Sequence, residues 1–145
     1  MRSWVVGLIA AVLLVVMAGV GVIAVISSGD ETAIVDLAVG DCFDLPDDVD
    51  SEIRAVALID CSDPHLAEVV TAGELNSGDE PYPSDDELFE RVEQACRAAE
   101  VVDSAAFGLL PVAPTPDLWE SFDGRFLCIA IPFGGEPVTG SIVAG

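Results

Sequence analysis

The chain has 145 residues and a formal net charge of −21, set by 26 acids against five basic residues, all arginine. A surface this acidic repels nucleic acid and anionic headgroups and attracts cations or basic partners, so no nucleic-acid partner is expected. Hydrophobic residues nevertheless make up 52% of the chain, and they are most concentrated at the N-terminus.

Trp4 to Ile26 is a run without a single charged, amide or hydroxyl side chain. An α-helix needs roughly 20 such residues to cross a hydrocarbon core about 30 Å thick. A cleavable signal peptide has a shorter apolar core, about 7–15 residues, ahead of a small-x-small site. Ala24-Val25-Ile26 spoils that site, and no cysteine near the end of the run offers an acylation position. Residues 1–27 are therefore expected to be a retained transmembrane anchor. Arg2 flanks one end and Asp30 and Glu31 the other, so the positive-inside tendency keeps the N-terminus cytoplasmic and exports the remainder. The expectation is a single-pass cell-membrane protein anchored through residues 4–26, with a polar tether over 28–37 and one extracytoplasmic domain over 38–145. Gly7 and Ala11, with Ala18 a heptad on, form a small-residue face suited to packing on another membrane helix.

Beyond the tether, Val39-Gly40-Asp41-Cys42-Phe43 reads as a strand ended by Leu45-Pro46, followed by a solvated acidic loop over 47–52. Asp44, Asp47, Asp48, Asp50 and Glu52 lack the spacing of an EF-hand. Ala55–Ile59 and Ala67–Thr71 carry strand propensity on either side of a Cys61–Pro64 turn, which predicts a hairpin between them. Ser84 with Glu87 makes a capping-box pattern, and Leu88, Val92, Ala95, Cys96 and Ala99 then recur at helical spacing. Val101–Leu110 is read as an extension of this helical layer, and Val112–Pro116 as a rigid connector. Arg125–Ile131 is a strand with Phe126, Cys128 and Ala130 on one face, and Thr139–Val143 a last short strand. The sum is an α+β domain, a small antiparallel sheet packed with one main helix.

Four cysteines, Cys42, Cys61, Cys96 and Cys128, all lie on the exported side. The pairing Cys42–Cys61 and Cys96–Cys128 links segments expected to be neighbours, and two disulfides suit a small exported domain. A zinc site using His65 is the competing reading. Structural zinc usually takes its ligands in close pairs, which this spacing does not offer. No cofactor or metal is expected.

Taken together, Val39-Gly40-Asp41-Cys42-Phe43, then Cys61-Ser62-Asp63-Pro64-His65-Leu66-Ala67-Glu68-Val69, then Pro114-Thr115-Pro116-Asp117-Leu118-Trp119, Cys128 and Thr139-Gly140-Ser141 resemble the septum formation family of actinobacterial membrane proteins. The resemblance spans Val39 to Ser141. It departs where the family tends to show W-x-x-G-D-R, since here Trp119 is followed by Glu120-Ser121-Phe122-Asp123-Gly124-Arg125. It implies an anchored extracytoplasmic domain tied to envelope and division biology, and no known reaction.

His65, the single histidine, and Glu68 are the candidates for a base or metal site, with a structural imidazole beside the disulfide as the plainer role. Ser141 lacks the second glycine of a nucleophile elbow. Pro64, His65, Glu68, Trp119 and Arg125 remain as interaction or structural positions, Trp119 being expected to cap the core over the Cys96–Cys128 bridge. The function these features suggest is a non-enzymatic membrane protein whose acidic outer domain binds an envelope protein partner. The alternative is an accessory subunit held in a larger complex by its helix, and an envelope hydrolase or metal enzyme stands last.

Overall fold

Alternation of apolar residues along one strand organises the domain. In β6 (Arg125–Pro132), Phe126, Cys128 and Ala130 join one buried cluster while Leu127 and Ile129 join the other. Period-two side chains point to opposite faces, so this strand is covered on both sides. The computed structural model describes residues 30–46 and 53–144. The expected anchor and the first residues of the tether lie outside them, as does the acidic loop over 47–52. Among the described residues no helix is long and apolar enough to cross a membrane.

The remaining strands are β1 (Glu31–Ala33), β2 (Cys42–Phe43), β3 (Ala55–Ile59), β4 (Ala67–Glu74) and β5 (Phe107–Val112). With β6 they form one antiparallel sheet in the order β1-β3-β2-β4-β6-β5. Helix α1 (Asp85–Cys96) packs against β5 and β6, and a short α2 (Pro116–Ser121) leads into β6. The α+β class and the antiparallel sheet are as the sequence predicts.

Four details differ. The expected hairpin between β3 and β4 does not form: Cys42 and Phe43 insert between them, pairing with Ile59 and Leu58 on one side and Glu68 and Ala67 on the other. Residues 31–37, read as tether, build β1 and a 3-10 turn that ends on the fully buried Leu37. Phe107–Val112 is an outer strand and not helix, which is where Gly108 and Pro111 are tolerated. The expected connector holds the start of α2, capped by Thr115 Oγ1 accepting from Leu118 N, with Pro116 in the first helical turn.

One buried cluster gathers Val70, Leu88, Val92, Cys96, Trp119, Phe126, Cys128 and Ile142 under the helices. The other gathers Leu37, Phe43, Val56, Val69, Leu127 and Ile129 under the N-terminal segment. Each such side chain contributes about 1.5–3 kcal/mol by leaving water. Alternation along β4 puts Val69 and Val70 in different clusters, and a bulge at Val70 lies between the Val69–Ile129 and Thr71–Cys128 pairings. Two disulfides, Cys42–Cys61 and Cys96–Cys128, join the predicted partners. The second ties the end of α1 to the middle of β6. Trp119, 1% exposed, sits in the same cluster as that bridge. Asp123 and Gly124 turn the chain into β6 with positive φ. A Cβ on Gly124 would stand 2.8 Å from the Trp119 ring, so this turn and the indole require each other.

Candidate functional site

The residues singled out between Cys61 and Glu68 are placed by a turn. The Asp60 carboxylate accepts from Ser62 N at 2.9 Å and Ser62 Oγ at 2.8 Å, and the Asp60 carbonyl accepts from Asp63 N. The two Ser62 bonds, that of its N–H first and its hydroxyl second, hold the Asp60 carboxyl below the usual carboxylate range. Pro64 follows, and His65 then makes a two-way backbone bridge with Val138 (N to O, 2.9 Å each way). The His65 ring is fully buried. Its Nδ1 lies 2.9 Å from the Asp63 carbonyl. A carbonyl can only accept, so Nδ1 carries a hydrogen. Nε2 has no partner among the described residues. One ring nitrogen thus meets a backbone carbonyl, and among the described residues the other meets no hydrogen-bond partner.

Glu68 is also fully buried, near the start of β4. Ser141 Oγ donates to its Oε1 at 2.7 Å, and Ile142 N donates to its Oε2 in a short bond. The carboxyl therefore holds the C-terminal segment, 73 residues away in sequence, onto the sheet. Gly140 N adds a bond to the Cys61 carbonyl. Glu68 does not orient His65: their described hydrogen bonds go to different partners, and Ser141 faces Glu68 and not a histidine. Cys42 and Cys61 Sγ and a Glu68 oxygen do lie within 4.8 Å of one another. With the two sulfurs bonded to each other, no thiolate is offered to a metal.

Trp119 and Arg125 belong to another neighbourhood. Arg125 pairs with Glu74 at one end of the β4–β6 ladder and Glu68 with Ala130 towards the other, five positions along β6 and hence about 17 Å apart at a strand's rise. Trp119 Nε1 donates to the Glu80 carbonyl at 2.8 Å, and Tyr82 meets its ring edge-on, centroids 5.9 Å apart. Arg91 covers the indole with its guanidinium 5.6 Å from the centroid, and it bonds Leu75 O and Glu80 Oε2. Tyr82 donates to the Pro114 carbonyl, and burial, with the nearby Asp85 charge second, raises its pKa. Arg125 Nη2 donates to the Leu37 carbonyl at 2.7 Å, fastening the N-terminal segment, while its buried Nε lacks a partner among the described residues. Two open clefts meet at Asp123. One of about 390 Å³ is lined by Asp36, Glu74, Phe122 and Arg125, the other of about 460 Å³ by Asp79, Glu80, Trp119 and Glu120.

Sequence reasoning found His65, Glu68 and Trp119 but missed what Glu68 grips. Ser141, which lacks the glycine pattern of a nucleophile elbow, uses its hydroxyl as a donor to a buried acid. Asp44, weighed as a calcium ligand, instead accepts from Leu66 N at 3.0 Å, tying β2 to the start of β4.

No family model, curated protein or solved structure matches the chain.

Proposed function

We propose that this is a non-enzymatic single-pass membrane protein whose acidic, disulfide-stapled outer domain binds a protein partner at the cell envelope. Septation is the process that the resemblance implies. The observation that carries this reading is how the chemically able side chains are used. His65 and Glu68 are fully buried, Glu68 spends both oxygens on Ser141 and Ile142, and His65 spends Nδ1 on a carbonyl. A general base must reach a substrate proton or a bound water, and these groups are turned into the fold. The 23-residue apolar run supports the anchor, and the acid excess supports a partner carrying positive charge.

The test replaces residues 1–27 with an unrelated single-span helix and follows co-purification of the full exported part in mild detergent. A retained partner supports recognition by the outer domain. Loss of every partner would instead favour an accessory subunit held through its own helix. For the enzymatic reading, His65→Ala with the fold intact is expected to leave cell division unchanged.

A further inference from the structure

Strand β5 closes one side of the sheet, and its pairing defines what the free edge can bond. Phe133 N donates to Ala106 O at 3.0 Å, and the neighbouring residues Phe107 and Pro132 stand opposite each other. Ala106 and Phe133 are therefore a hydrogen-bonded pair, and in an antiparallel ladder such pairs alternate with non-bonded ones. It follows that Gly108, Leu110 and Val112 aim their N–H and C=O at β6, while Phe107, Leu109 and Pro111 aim theirs away. Both prolines of the ladder, Pro111 and Pro132, fall at non-bonded positions, where a missing N–H costs the pair nothing. None of the six β5 residues is fully buried, and among the described residues no backbone group bonds the outward side of Phe107 or Leu109.

An apolar strip lies beside this edge. Leu110 is 37% exposed and Phe133 70%, and they flank Gly108. A Cβ on Gly108 would come within 3.0 Å of the Phe133 ring, so the glycine lets that ring lie across the strand. At the Phe107 end, Asp103 and Glu136 are exposed.

The geometry points to this edge as the docking site of the partner, a deeper statement of the partner-binding reading on which it rests. The occupant is an extended segment of a basic protein that adds a strand to β5. Its backbone bonds Phe107 and Leu109, its apolar side chains at alternate positions cover Leu110 and Phe133, and its Lys or Arg residues meet the acidic surround. Main-chain bonds of this kind give affinity while alternate side chains give selectivity. Charge complementarity selects a basic partner over a second copy, because two chains of −21 repel. Pro111 acts in the same direction. Two β5 strands paired about Leu109 would face each Phe107 carbonyl with a proline that has no N–H to donate.

The test is photocrosslinking in intact cells with the full-length chain, the reactive residue placed in turn at Leu110, Phe133, Leu58 and Phe89. All four are exposed, and the last two lie on β3 and α1. The expected result is capture from positions 110 and 133 of one segment alternating apolar with basic residues. With the reactive residue at one of these two positions and glutamate at the other (Leu110→Glu or Phe133→Glu), a chain shown to keep both disulfides and its circular dichroism gives about tenfold less capture, as loss of central contacts does. Capture of a partner only from positions 58 or 89 would overturn the edge assignment and leave partner binding standing. Capture of nothing from any position would overturn both, and capture of a second copy of this chain would overturn the basic-partner assignment.

Discussion

Glu68 shows how one buried acid can set the position of a distant segment. Its two acceptor oxygens face different kinds of donor: the Ser141 hydroxyl, which can turn, and the Ile142 amide, which cannot. In Glu68→Gln the amide oxygen keeps the Ile142 bond while the Ser141 hydroxyl rotates to accept from the new NH₂. In Glu68→Ala the buried Ile142 N–H loses its partner, a cost of about 1–3 kcal/mol. The expected order is a small loss of stability for Gln and a larger one for Ala. It is read by denaturant titration of the full chain in micelles, with amide exchange at Ile142 accelerated only in the Ala variant. Equal losses would mean the charge, and not the acceptor pair, holds the segment. Tyr82 supplies a pH dependence of known sign. Its folded pKa is raised, by burial first and by Asp85 second, so the fold favours the protonated phenol. That contribution is complete below about pH 10, the unfolded value, and is lost as pH rises through the folded one. Tyr82→Phe is therefore expected to flatten the decline of thermal stability above pH 10. An unchanged alkaline limb would place its cause elsewhere.

At the scale of elements, the two disulfides have different exposure despite similar leverage. Sequence separations of 19 and 32 residues give chain-entropy contributions of about 3 and about 4 kcal/mol, too close to rank them. Access does rank them. Cys96 and Cys128 are both buried, whereas Cys61 is partly exposed. Mild thiol reductant is expected to open Cys42–Cys61 first, seen by alkylation and mass spectrometry, while α1 stays joined to β6. Earlier opening of Cys96–Cys128 would mean that α1 detaches readily. Those bridges were legible in the sequence, as was α1, because a cap at Ser84 and apolar residues at helical spacing are local signals. The site was less so. The strand at Cys42 and Phe43 is legible in the sequence, but nothing near Ala55–Ile59 announces that it will lie between β3 and β4. β5 was misread because its glycine and proline look like helix stops, although at an outer strand they are ordinary. The start of α2 carried a usable signal, Thr115 before Pro116, within a segment read as rigid linker. The grip of Glu68 on Ser141 joins residues 73 apart, and pattern reading along the chain cannot reach that far.

For the whole molecule, the acid excess opposes compaction wherever positive charge is already committed. Arg91 pairs with Glu80, Arg97 with Glu93, and Arg125 reaches a carbonyl of the N-terminal segment. Both ion pairs are solvent-accessible and of the kind that contributes about 0–1 kcal/mol, against repulsion summed over 26 acids. Salt screens both terms, with a Debye length falling from about 30 Å at 0.01 M to about 8 Å at 0.15 M. Long-range repulsion is screened first, since the ion pairs are in contact at 2.8–3.4 Å. Thermal stability of the full chain is therefore expected to rise by several degrees, on the order of 1 kcal/mol, as NaCl goes from about 10 to 150 mM. Stability falling over that range would mean that ion pairing outweighs the collective field. The same screening weakens attraction of a basic partner. One salt titration should move stability upward and partner association downward, a divergence that an uncharged recognition surface would not produce.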